Sequence, residues 1–166
     1  SAQVISLMDE SVCDITEMKI KGTSSAASTT DGSAQLKLTN CVLEGGWQHG
    51  LVAIGKSQMQ VEDLTLSDGQ GVGFLVKGDA RLEANRCRVN GSLKNSLWVI
   101  DNGSAVLKEC ELVGGGPTYP AVIANGKAHI SLHGGRIVDT QSNGIWIRGE
   151  SVCEVVGLAI SGTSGA

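Results

Sequence analysis

The sequence predicts an all-β chain wound as a solenoid, and three observations carry that prediction. One apolar motif returns every 23 residues along nearly the whole 166-residue chain. Within each period the apolar residues alternate with period two in three short bursts, the spacing of strands whose alternate side chains share a face. A glycine or aspartate follows every third burst, where a corner needs dihedrals that most residues resist. A unit this short cannot fold alone, so neighbouring units must stack and share one core.

The first coil supplies Ile5 and Leu7, then Cys13 and Ile15, then Met18 and Ile20, and closes on Gly22. The second has Ser28 and Thr30 in the first burst, then Leu36 and Leu38, Cys41 and Leu43, and Gly45. The third runs Leu51, Ala53, Met59, Val61, Leu64, Leu66 and Asp68. The fourth runs Phe74, Val76, Leu82, Ala84, Cys87, Val89 and Gly91. The fifth runs Leu97, Val99, Ala105, Leu107, Cys110, Leu112 and Gly114. Two extra residues then enter within Gly114-Gly115-Gly116-Pro117-Thr118-Tyr119-Pro120. The sixth coil resumes as Val122, Ala124, Ile130, Leu132, Gly135, Ile137 and Asp139. The seventh is Ile145, Ile147, Cys153, Val155, Leu158, Ile160 and Gly162. The second and third bursts are three residues apart, so the chain must bend between them to keep both apolar sets inside. Small residues precede the first burst at Ala27, Gly50, Gly73, Ser96, Ala121 and Gly144, and Asn-Gly pairs at Asn90, Asn102, Asn125 and Asn143 mark further corners.

Three short strands per coil, irregular corners and seven coils of 23 residues describe a right-handed parallel β-helix over residues 4–166. A left-handed helix would carry a hexapeptide rhythm. Leu38-x-x-Cys41-x-Leu43 also echoes a leucine-rich repeat, but the rest of each unit lacks a helical pattern. The run Gly103-Ser104-Ala105-x-Leu107-x-x-Cys110-x-Leu112-x-Gly114 resembles the β-helix repeat of the pectate-lyase-like superfamily. That resemblance implies the fold and leaves function wide. The superfamily holds pectin-degrading lyases and hydrolases, epimerases and phage tailspikes. It also holds non-enzymatic repeats in an F-box substrate adaptor and a cytokinesis scaffold.

A net charge of −4 argues against nucleic acid as a partner, since such a surface needs cations to replace phosphate counterions. No apolar run is long enough for a membrane-spanning helix. Cys13, Cys41, Cys87, Cys110 and Cys153 all fall on inward positions, without metal-knuckle spacing. They read as small buried hydrophobes, and five unpaired thiols favour a reducing compartment. The first strand of coil one and the third strand of coil seven lie at the two termini with no capping element. The segment therefore reads as part of a longer protein.

Catalysis on polyuronates needs carboxylates on neighbouring coils of one outward face, for a Ca²⁺ ion or as a glycosidase pair. No outward column stacks carboxylates. The third-strand column runs Lys19, Val42, Thr65, Arg88, Glu111, Arg136 and Ala159, alternating in sign as on a solvated face. Leu97-Trp98-Val99-Ile100-Asp101-Asn102 resembles a Trp-Ile-Asp-His motif of pectate lyases, but has Asn where the His belongs. His133-Gly134-Gly135-Arg136-Ile137 resembles a polygalacturonase fragment without its upstream Asp pair. His129 and His133 read as surface residues, His49 sits beside a corner with no assignable partner, and the Asn-x-Ser sequons at Asn90 and Asn102 are short patterns met by chance. No catalytic residue, metal or cofactor is expected.

One outward column departs from a soluble surface. Val52, Leu75, Trp98, Ile123 and Trp146 stand on successive coils, preceded by Ser6 and Thr29. Ile54 and Ile100 widen this strip, and Trp47, Tyr119 and Pro120 lie in the loops that lead into the same strand. A contiguous apolar strip implies a second protein, a second copy, a flanking domain or a sugar platform. The expected function is a rigid, non-catalytic interaction module that docks through this strip. The alternative is a saccharide-binding or polysaccharide-modifying β-helix fragment.

Overall fold

The computed structural model describes residues 3–22 and 26–162, with the backbone alone for 27–29. Among the described residues every regular element is a strand, and the strands form three seven-stranded parallel sheets. The first sheet stacks Ile5–Leu7, Ala26–Thr30, His49–Ala53, Val72–Val76, Leu97–Val99, Val122–Ala124 and Ile145–Ile147. The second runs from Val12–Thr16 to Val152–Val156, and the third from Lys19–Lys21 to Ala159–Ser161. Each strand pairs with its counterpart one coil away, so the seven expected coils are seven rungs separated by about six full turns. The insertion after Gly114 leaves the register intact, with Leu97 opposite Val122 and Trp98 opposite Ile123.

Period-two alternation decides what fills the column. The second sheet's inward residues include Leu36, Leu38, Met59, Val61, Leu82, Leu107, Ile130 and Leu132, all buried in one continuous core. Thr30, an inward residue of the otherwise apolar column, is fully buried without being orphaned. Its hydroxyl lies 3.2 Å from Ser57 Oγ and 3.3 Å from the Val52 carbonyl. The side chains of Ala27, Ser28 and Thr29, expected in the small, inward and outward columns, lie outside the described residues.

Three left-handed corners close each coil. The corner read from the sequence, Gly22 through Gly162, has positive φ in all seven copies, including Asp68 at 57° and Asp139 at 53°. A second corner, between the second and third strands, falls at Glu17, Asn40, Asp63, Arg86, Glu109, Gly134 and Gly157. It holds non-glycine residues in a costly conformation because the inter-coil ladder continues through it. Asn40 N donates to Glu62 O at 2.9 Å, and Arg86 N to Lys108 O at 2.9 Å. The third corner, Asp9 through Gly149, separates the first and second strands. At Gly73 the small residue is required by space: a Cβ there would lie 2.6 Å from Val89 and 2.7 Å from the Ser96 carbonyl.

Candidate functional site

The outward side of the first sheet carries the apolar column in register: Val52 opposite Leu75, Leu75 opposite Trp98, Trp98 opposite Ile123, and Ile123 opposite Trp146. At about 4.8 Å per coil, Trp98 and Trp146 stand about 10 Å apart along the axis. Their inward neighbours Leu97 and Val99 are fully buried, while Ile145 and Ile147 on the last coil are only partly covered.

Depth along the column is uneven, and two members of the expected strip are corrected. Val52 is 5% exposed, although it occupies an outward position. Its short branched side chain lies beside the larger Leu75 of the next coil, with which it is in register. Trp47 does not line the strip at all. At 1% exposure it belongs to the core. Its ring lies over Gly69 of the next coil, where an added Cβ would come within 2.1 Å of Trp47 Cζ3. Its indole Nε1–H donates to the Ser67 carbonyl at 3.1 Å. Leu75, Trp98, Ile100, Ile123 and Ile54 are half-buried, and Trp146 is the most open at 44%.

The exposed part of the site is therefore the later half of the column together with one loop. The insertion after Gly114 forms a lip over it. Gly116 N donates to Leu93 O at 3.2 Å and Tyr119 N to Gly116 O at 3.0 Å. The buried Asn95 side chain pins the lip from the preceding coil, Nδ2 donating to Pro120 O at 2.6 Å. Tyr119 is thereby held outward, and with Trp98, Ile123, Trp146 and Lys94 it bounds a cavity of about 320 Å³. On the other flank of Trp98, Lys77, Ile100, Asp101 and Asn125 bound a second of about 280 Å³. Arg148 stacks on Trp146 with its guanidinium carbon 5.0 Å from the ring centroid. The Trp98 indole nitrogen and His49 Nδ1 are buried without a hydrogen-bond partner. Burial, with a smaller contribution from the charge of Lys94, holds His49 below the ordinary histidine range. Lys94, Asn95 and Thr118 escaped the sequence reading because the loops before the first strand carry no alternation. Lys77 and Arg148 lie on the next outward column beside Ile100, but only its apolar members drew notice.

Asp101, Asn102 and Arg136 of the two motif-like fragments are engaged in the frame. Asp101 is a left-handed corner, and the adjacent Asn102 Nδ2 donates to Asp79 Oδ1 at 3.0 Å. Gly134 and Gly135 are both left-handed, and Arg136 of the same fragment pairs with Glu111. Glu111 also takes Arg88, at 2.9 Å, so this outward column is an ion ladder. Arg86 bridges Glu62 and Asp63 in the same way, which holds the Asp63 carboxyl below its usual range. Among the described residues no group of three or more His, Cys, Asp or Glu side chains is gathered for a metal ion.

Three parallel sheets wound around one apolar column define the molecule as a parallel β-solenoid. A family model described as the right handed beta helix region matches residues 3–114. The chain belongs to that family, in keeping with the pectate-lyase-like resemblance of its repeat. Neither the curated proteins nor the solved structures returned a match.

Proposed function

We propose that the chain is a rigid, non-catalytic interaction module, and that the Trp98–Ile123–Trp146 face, with Tyr119 as its lip, is the docking surface. The observation that carries this reading is a half-open aromatic cleft on a frame whose backbone is already paired coil to coil. A strand cannot be added on this face, so a partner must be recognised through side chains. Aromatic anchors set in partly formed pockets dominate the energetics of such surfaces. Exchanging both Trp98 and Trp146 for Ser should leave the β-solenoid folded and abolish association with a protein partner or a second copy. Circular dichroism reports the first, and sedimentation velocity the second. A folded double variant whose associations all survive would remove the strip as the docking surface.

A saccharide is the second reading. Lys94 and Thr118 line the same cavity as the aromatic rings and offer the polar groups that a stacked sugar needs. Calorimetric titration with neutral and acidic oligosaccharides separates this reading from the first.

A further inference from the structure

The docking reading can be sharpened to a class of partner, and this step rests on that reading. The cavity beneath Tyr119 has a charge opposite to that of the chain, whereas in the second cavity Lys77 is offset by Asp101. Lys94 stands at the edge of one, Lys77 at the edge of the other, and Arg148 lies on the exposed Trp146. Asp101 is the one acid lining either cavity. The chain as a whole carries a net −4. Among the described residues none of these three cations is in an ion pair. The cleft is thus a local cationic site between aromatic rings on an acidic molecule.

Its spacing selects a backbone shape. The anchors Trp98 and Trp146 repeat along the solenoid axis at about 10 Å, twice the strand separation. A polyproline II segment rises about 3.1 Å per residue with three residues per turn, so every third side chain recurs at about 9.3 Å. Such a segment has no internal hydrogen bonds, is extended before binding, and characteristically docks on aromatic-lined grooves. An α-helix is about 10–12 Å across with its side chains. It also brings residues i and i+7 to about 10.5 Å, but their side chains drift about 20° off one line, whereas the three-residue turn of polyproline II returns every third side chain to the same line. We infer that the partner is an acidic, proline-rich segment in the polyproline II conformation, lying along the solenoid axis. Its prolines seat beside Trp98 and Trp146, and its carboxylates meet Lys94, Lys77 and Arg148.

The test uses the 166-residue chain and a short synthetic peptide with proline at every third position and glutamate between. Two control peptides replace every glutamate by lysine, or every proline by glycine. The three tryptophans supply three indole N–H resonances. The Trp98 and Trp146 signals should move on titration, and that of the buried Trp47 should stay. Each control peptide should bind roughly tenfold more weakly or worse, and the Lys77→Glu/Lys94→Glu variant should lose about as much for the acidic peptide at low salt. Equal binding of the glutamate and lysine peptides, or of the proline and glycine peptides, overturns the inference. If the acidic peptide fails while the double Trp variant still loses association, the strip docks a partner of another kind and this inference falls alone. If the Trp variant also keeps its associations, the docking reading falls with it.

Discussion

Three thiols occupy equivalent sites beside the second corner, and each has two carbonyls within reach of its single S–H. Cys41 reaches the carbonyls of Thr39 and Ile15, Cys87 those of Asn85 and Val61, and Cys110 those of Lys108 and Ala84. The partner two residues back lies on the same coil, and the other on the preceding coil. A small, apolar side chain with a weak donor suits a bend where the carbonyl ladder turns. The neighbouring Cys110 thiol and burial push Cys87 well above the ordinary thiol range. Burial also raises Cys153. Since the thiolate is the reactive form, Cys87 is protected both by its burial and by its upward shift. Cys13 and Cys153, on the outermost coils, are only half-buried. A native-state thiol reagent is expected to modify Cys13 and Cys153 first, and Cys41, Cys87 and Cys110 at the rate of unfolding. Immediate modification of Cys41 or Cys87 in the folded protein, located by peptide mapping, would mean that this corner is wrongly placed.

The loops between the third and first strands join neighbouring coils by fit rather than by sheet hydrogen bonding alone. Trp47 leaves its own coil and fills the space above Gly69, a position where no side chain can be accommodated without moving the ring. Gly69→Ala should therefore lower stability by about 1–3 kcal/mol, the usual cost of overpacking. It should also alter the fluorescence of a Trp98→Phe/Trp146→Phe background, in which Trp47 alone emits. An unchanged denaturation midpoint would mean that the loop adapts freely. This contact also shows where sequence reading stops. The strands and the Gly22-to-Gly162 corner were legible because one residue class recurs at one period. The bend between the second and third strands was legible from their three-residue step, but not its left-handed residue, since Glu17, Asn40, Asp63, Arg86, Glu109, Gly134 and Gly157 range from acid to base to glycine and are held there by the ladder. Trp47 looked like a surface anchor because its loop has no alternation to give it a side. The facing of Trp98 and Trp146 could be read from Leu97, Val99, Ile145 and Ile147. The depth of Val52 and the lip at Tyr119 could not, because outward burial is set by neighbouring side chains and by a loop pinned through Asn95.

A molecule built by stacking couples each coil mainly to its neighbours, so its stability is a sum of local terms. The consequence is a gradient along the axis. Leu107, on the fifth coil, is buried at 2% exposure, whereas Val155, on an equivalent inward column of the seventh, is 46% exposed. The inward Ile160 on that last coil is also open, and the inward Ile5, Leu7, Cys13 and Ile15 on the first are only partly buried. Truncating Leu107 to Ala removes contacts with the coils on both sides and should cost about 2–5 kcal/mol. Val155→Ala should cost well under about 1 kcal/mol, because much of the side chain is never removed from water. Native-state hydrogen exchange of the 166-residue chain should show the same profile. Protection should be strongest in the third to fifth coils and decline toward both ends, since outer coils can open without breaking the centre. Leu107→Ala should then lower protection most in its own and adjacent coils, while Val155→Ala should leave the centre unchanged. Uniform protection from the first coil to the seventh, falling equally in both variants, would instead make the solenoid one all-or-none unit. The aromatic cleft, spread over the fourth to seventh coils, would then gain its rigidity from the entire molecule rather than from the coils beneath it.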